Sequence, residues 1–162
     1  MLFKKKYSNI LIRHFYPSLK MLKKIIDNCP DNLWNKINGG FPFWQQVYHT
    51  IEGLDYWFNE NGEYRFYDFK KKVSSDLNIN TEDYLTKCEI KIYLNFVLKR
   101  IKIFLKKIDD KKILSRSVIN NKFRIMDIIL IQIRHLQYHV GHCNSILRTN
   151  KIKAAKWQGY GE

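Results

Sequence analysis

The chain has 162 residues, 45% of them apolar, a formal net charge of +14 and three cysteines. That length fits one domain spanning residues 1–162, with room for a real core. Cys29, Cys88 and Cys143 are odd in number, far apart and form no CxxC pair, which excludes a disulfide framework and a cysteine zinc site and points to a reducing cytoplasm.

The charge by itself suggests a polyanion partner. The composition argues otherwise. Lys, Ile and Asn are abundant together, the mark of AT-rich coding, and the lysines are spread over every segment with short clusters only at Lys4–Lys6 and Lys70–Lys72. The expectation is a solvated basic surface, with nucleic acid a disfavoured partner. Met1 to His14 is basic and lacks the continuous apolar stretch of a signal peptide. The longest apolar run, Ile125 to Ile133, contains Asp127 and Gln132 and is too short to span a bilayer, so no membrane partner is expected.

In chain order, a first helix is predicted from Ser8 to Asn28, where Ile12, Phe15, Leu19, Leu22 and Ile26 recur at helical spacing. Pro17 lies inside it and predicts a kink or a later start. His14 falls off the apolar stripe and reads as exposed. Cys29-Pro30-Asp31-Asn32 ends the helix, Leu33 and Trp34 form a short apolar anchor, and Asn38-Gly39-Gly40 is a turn.

A second helix starts near Pro42, a residue suited to a first turn, and continues to Asn59. Phe43, Val47, Ile51, Leu54 and Phe58 form its apolar face. His49 sits in the middle. Alone, such a histidine is more often a hydrogen-bonded core residue than a ligand. Glu52 follows three residues later and is placed to orient it or share its site.

Asn61-Gly62 opens a connection of about twenty residues, a length that calls for a job such as crossing a bundle or covering a site. Its aromatics, Tyr64, Phe66, Tyr67 and Phe69, predict that it packs down. A third helix, capped by Thr81-Glu82-Asp83, runs to Ile108, with Ile90, Leu94, Val97, Ile101, Phe104 and Ile108 as its buried seam. Lys91, Lys99, Lys102 and Lys106 mark its solvated face. After a turn at Asp109–Lys112, Ile113 to Lys122 reads as a loop or one short turn.

The fourth helix, Phe123 to Thr149, carries three of the five histidines. At about 100° per residue His135, His139 and His142 share one narrow stripe with Ile128 and Ile146, so they face inward. Buried imidazoles bring polar nitrogens that need partners. His135 and His139, one turn apart, are spaced to converge on one ion. A catalytic site usually has three protein ligands, so a third must come from elsewhere. The tail from Lys151 has no periodicity, but Ala154-Ala155-Lys156-Trp157 is apolar enough to fold back. Four long amphipathic segments predict an all-α four-helix bundle with one long crossover between helices 2 and 3.

With these helices placed, the sequence resembles the DinB-like superfamily of metal-dependent hydrolases and thiol-dependent S-transferases. Arg134-His135-Leu136-Gln137-Tyr138-His139-Val140-Gly141-His142 looks like the last core helix of that group, a His-x-x-x-His followed by Gly-Gln. Phe43-Trp44-Gln45-Gln46-Val47-Tyr48-His49 with Tyr56-Trp57-Phe58 looks like its second helix. Asp31-Asn32-Leu33-Trp34 and Ala154-Ala155-Lys156-Trp157 resemble its tryptophan segments. The resemblance implies a metal triad of His49, His135 and His139. His142 stands where the group commonly has glutamine, and reads as a fourth nitrogen near the ion, a pocket residue or a tolerated substitution.

Two function classes follow. In the first, the three histidines hold a divalent ion, Zn²⁺ ahead of Ni²⁺ or Fe²⁺, that activates water for hydrolysis or a thiol for transfer. Glu52 is then the nearest acid–base candidate, and the substrate is a small molecule such as a low-molecular-weight thiol. In the second, the chain is a non-catalytic bundle with structural histidines that acts as a binding protein. A di-iron carboxylate site needs Glu-x-x-His pairs, which the chain lacks. Look-alikes and exposed aromatics favour a homodimer.

Overall fold

The computed structural model describes residues 5–59, 64 and 66–159. Within them the chain forms α1 (Lys6–Asn28), α2 (Asp31–Trp34), β1 (Ile37–Asn38), β2 (Phe41–Pro42), α3 (Phe43–Trp57), α4 (Lys87–Lys106) and α5 (Ile125–Thr149). A 3₁₀ turn at Lys112–Leu114 precedes α5. The class is all-α, as the periodicity predicts. The small antiparallel pair, Ile37 against Pro42 and Asn38 against Phe41, is the departure. It forms because Gly39 and Gly40 take positive φ, +68° and +99°, which closes the expected turn into a two-residue hairpin.

α5 packs along both α1 and α3, and α3 also packs along α4. The core lies among these four helices, where Phe15, Trp44, Ile51, Tyr93 and Leu136 are fully buried. α3 is buried on most sides, including the polar Gln45, Gln46, Thr50 and Asp55. Asp55 is tied to α4 by Arg100 at 2.5 Å and by the Tyr93 hydroxyl, which donates at 3.0 Å. Burial raises the Asp55 pKa above its ordinary value, and Arg100 and Tyr93 oppose that rise. The seam expected on the third helix, Ile90 to Ile108, is buried as predicted.

Helix ends differ from expectation for local reasons. α1 begins at Lys6, not Ser8, and runs through Pro17 without a later start. The Asp110 carboxylate accepts the backbone N–H groups of Lys6, Tyr7 and Ser8 at 2.9–3.0 Å, filling the role of a missing N-cap. α4 begins at Lys87, not near Thr81. Its cap is Thr86, whose hydroxyl accepts from the Glu89 N–H at 3.3 Å while the Glu89 carboxylate accepts from the Thr86 N–H at 2.8 Å. Thr81 and Asp83 belong to the connection: the Thr81 hydroxyl donates to the Asp83 carbonyl, and the Asp83 carboxylate accepts from the Lys72 N–H. α5 starts at Ile125 rather than Phe123, because the Phe123 carbonyl accepts from the Ser117 N–H and Asp127 caps at Arg124.

Asn61-Gly62, the expected start of the connection, and the start of the Lys4–Lys6 cluster lie outside the described residues. Of the aromatics expected to pack down, Tyr67 and Phe69 do, whereas Phe66 stays exposed. Tyr67 meets Tyr93 at a tilt and Phe69 meets it edge to face, at centroid distances of 4.9 and 5.3 Å. The buried Gln45 amide reaches the carbonyls of Asp76 and Ile79 at 2.9 and 2.8 Å. The Trp34 indole donates to the Leu85 carbonyl at 2.7 Å, anchoring the entrance to α4. The C-terminal tail folds back only in part: Asn144 clamps both backbone groups of Ala155, but Trp157 remains 75% exposed. His14 is exposed, and all three cysteines are free. Among the described residues no helix is long and apolar enough to cross a membrane.

Candidate metal centre

Residue spacing on two helices builds the centre. Gln46, His49 and Gly53 recur at intervals of three and four along α3, and His135 and His139 lie one turn apart on α5. Packing α3 on α5 brings the three imidazoles together. One ring nitrogen of each lies within 4.8 Å of the others. Ring centroids are 4.5 Å apart for His135 and His139, 4.7 Å for His49 and His139, and 5.1 Å for His49 and His135.

The outer contacts of the rings orient them. His49 Nδ1 is 3.0 Å from the Ser75 carbonyl oxygen. A carbonyl only accepts, so Nδ1 carries the hydrogen and Nε2 keeps its lone pair. That Nε2 lies 3.2 Å from His135 Nε2. Two nitrogens at 2.0–2.1 Å from one tetrahedral ion stand about 3.3 Å apart, so this pair fits a shared cation. His139 Nδ1 meets the side-chain amide of Gln46 in a short contact. A side chain at Gly53 would put its Cβ 2.8 Å from His135 Cε1, so this glycine is what lets the ring lie against α3.

Electrostatics keep His135 and His139 neutral. Burial, reinforced by the proximity of His49, pushes His135 down to about 4. Burial, then His135, His49 and His142, pushes His139 down to about 3. Neutral imidazoles offer the lone pairs that a borderline divalent ion takes. The donor set and its spacing are compatible with metal binding.

Glu52 faces the same cleft of about 600 Å³ as His49 and His135, with Tyr56, Trp57, Phe66 and Ile131 on its walls. Its carboxylate accepts from the Ser75 hydroxyl at 3.3 Å. His142 is not in the three-histidine cluster. Its ring sits under the hairpin, where a Cβ on Gly39 would approach Nε2 to 2.6 Å, and that buried nitrogen has no hydrogen-bond partner. A fourth nitrogen on a shared ion is therefore not what this arrangement provides.

Sequence reasoning passed over Gln46, Gly53 and Ser75. The glycine carried a signal, since a mid-helix glycine in a well-patterned segment asks for a packing reason. Gln46 also carried one, as a polar residue on an apolar face one turn before His49. Ser75 contributes a backbone carbonyl, which no side-chain pattern marks.

A helical protein with three inward imidazoles from two helices, opening on an aromatic-walled cleft, defines the class. Residues 14–143 match the DinB superfamily, and the chain belongs to it. The match includes His49, Glu52, His135 and His139, and stops short of the Ala154–Trp157 tail. No curated protein matches the chain.

Proposed function

We propose that this protein is a metal-dependent hydrolase or thiol S-transferase whose divalent ion is held by His49, His135 and His139. The observation that carries this reading is the convergence of three imidazoles within 4.8 Å, two of them lining a cleft. In this reading α1, α3, α4 and α5 form a four-helix bundle and the connection from α3 to α4 is its crossover. Zn²⁺ is the first candidate, with Ni²⁺ and Fe²⁺ next, since imidazole suits all three. When bound, the ion supplies a Lewis acid that makes water or a substrate thiol nucleophilic near neutral pH.

The chain's own residues do the rest. Glu52, held by the Ser75 hydroxyl, takes or returns the proton at the mouth of the centre. Trp57, Tyr56 and Phe66 bind the apolar body of a small molecule and exclude water from the histidines. A homodimer is the proposed assembly, supported by the exposed Ile92, Phe96 and Ile103 on one side of α4.

The test is elemental analysis of protein purified without an affinity tag or chelator. About one equivalent of Zn, Ni or Fe per chain is expected, and His135→Ala removes it. Full metal content in His135→Ala sinks the ligand assignment. A wild-type chain that neither contains nor takes up metal leaves the non-catalytic reading in its place.

A further inference from the structure

Gln46 is 2% exposed, lies on α3 one turn before His49, and spends its amide on a single ring nitrogen of the 4%-exposed His139. Its Oε1 has no partner, although burial of an unpaired carbonyl oxygen costs free energy. A core residue selected for packing alone would be apolar here, as its neighbour Val47 is. The amide therefore has a task, and the task is set by what it touches.

We propose that Gln46 is a positioning residue that sets the tautomer of His139, and through it the readiness of the three-histidine centre for metal. This rests on the metal-centre reading above. His49 supplies the template: the Ser75 carbonyl holds its Nδ1–H and turns Nε2 toward His135. Gln46 occupies the same outer nitrogen, Nδ1, on His139. An amide differs from a carbonyl in having two ends. With its NH₂ toward the ring it donates to Nδ1, and the ring proton resides on Nε2, where it blocks a metal. With its oxygen toward the ring it accepts from Nδ1–H, and Nε2 is left bare for the ion. Rotation of one side-chain amide by about 180° interconverts the two states without moving a helix, and binding of a cation at Nε2 selects the second.

The experiment separates this role from the metal reading. In the metal-free protein, ¹⁵N-resolved NMR of the imidazoles reports which nitrogen of His139 is protonated, and Zn²⁺ affinity is read by competition with a chromophoric chelator. Metal-free wild type is expected to hold His139 as the Nε2–H tautomer, with the amide NH₂ toward Nδ1, and to turn to the Nδ1–H tautomer when Zn²⁺ is added. Gln46→Met, which keeps the volume and can neither donate to nor accept from Nδ1, is expected to mix the tautomers and weaken Zn²⁺ binding by about 10–100-fold. Gln46→Glu, which can only accept from Nδ1–H when ionised, is expected to hold the Nδ1–H form and restore affinity. Far-UV circular dichroism and melting confirm that both variants fold. Unchanged tautomer and affinity in Gln46→Met overturn the proposal. If wild type binds no Zn²⁺ at all, the metal reading fails, and the tautomer comparison alone still decides whether Gln46 positions His139.

Discussion

Gly53 and His135 illustrate how little room the centre has. The ring lies where a methyl group on Gly53 would approach to 2.8 Å, inside van der Waals contact. Gly53→Ala is expected to raise the helix propensity of α3 yet push His135 away from His49. Metal affinity should drop by at least tenfold while the helical signal stays intact. Wild-type affinity in this variant, measured by chelator competition, removes the close-approach argument. A second consequence concerns pH. His135 and His139 have folded pKa values lowered to about 4 and about 3 from an ordinary 6.5. Below pH 6.5 the unfolded chain takes up protons that the folded centre refuses, so the contribution of these groups to stability is full above 6.5 and is lost as pH falls toward 4. In metal-free buffer the melting temperature should fall from pH 7 to pH 5. A His135→Gln/His139→Gln variant should show a shallower fall. Parallel profiles for the two proteins contradict this linkage.

At the scale of elements, the helix ends record a division between local and distant causes. α4 is capped by Thr86 and Glu89, two residues three positions apart that satisfy one another. α1 has no such local pattern and is capped by Asp110 from the turn that follows α4. Burial alone raises the Asp110 carboxyl, but the backbone N–H groups of Ser8, Tyr7 and Lys6 outweigh it and hold the pKa below the usual carboxylate range. Asp110→Ala is expected to fray the first turn of α1. Hydrogen exchange at the Tyr7 and Ser8 amides should accelerate severalfold while α5 amides stay protected. Unchanged protection at both positions means that the carboxylate is not the cap. The long connection has a comparable dependence on one side chain. Gln45 reaches its carbonyls from α3, and this same segment carries Ser75 to His49. The connection is thus part of the centre's wall as well as a link between helices.

The whole molecule presents two surfaces of different character. The cleft over the histidines is aromatic, whereas the outer side of α4 mixes Lys91, Lys99 and Lys102 with the exposed Ile92, Phe96 and Ile103. The apolar three repeat along one side of the helix, a pattern that a second copy can cover. Sedimentation analysis is expected to show a dimer at micromolar concentration, and Phe96→Glu to shift it to monomer. A wild-type monomer at all accessible concentrations refutes the assembly. Lys91 on this side pairs with Asp27 at 2.7 Å, while the net +14 of the chain is unchanged by such pairs.

The apolar periodicity determined the helical class, the four long segments and the buried seams, because burial of a stripe every three to four residues is a property of a helix whatever it packs against. The His-x-x-x-His spacing likewise determined that His135 and His139 stand on one face of α5. Spacing along the chain left the third histidine open and the family resemblance named His49; the tertiary structure brings His49, and not His142, into the cluster. On α5 His142 is three residues from His139 and lies in the same stripe, yet the hairpin closes over it at Gly39, whereas His49 arrives from another helix. Ser75, Gln46 and Gly53 gain their meaning in the same way. Each acts through an atom set against a ring on α5 or α3, and such distances come from how helices and connection pack, which no repeat along the chain encodes.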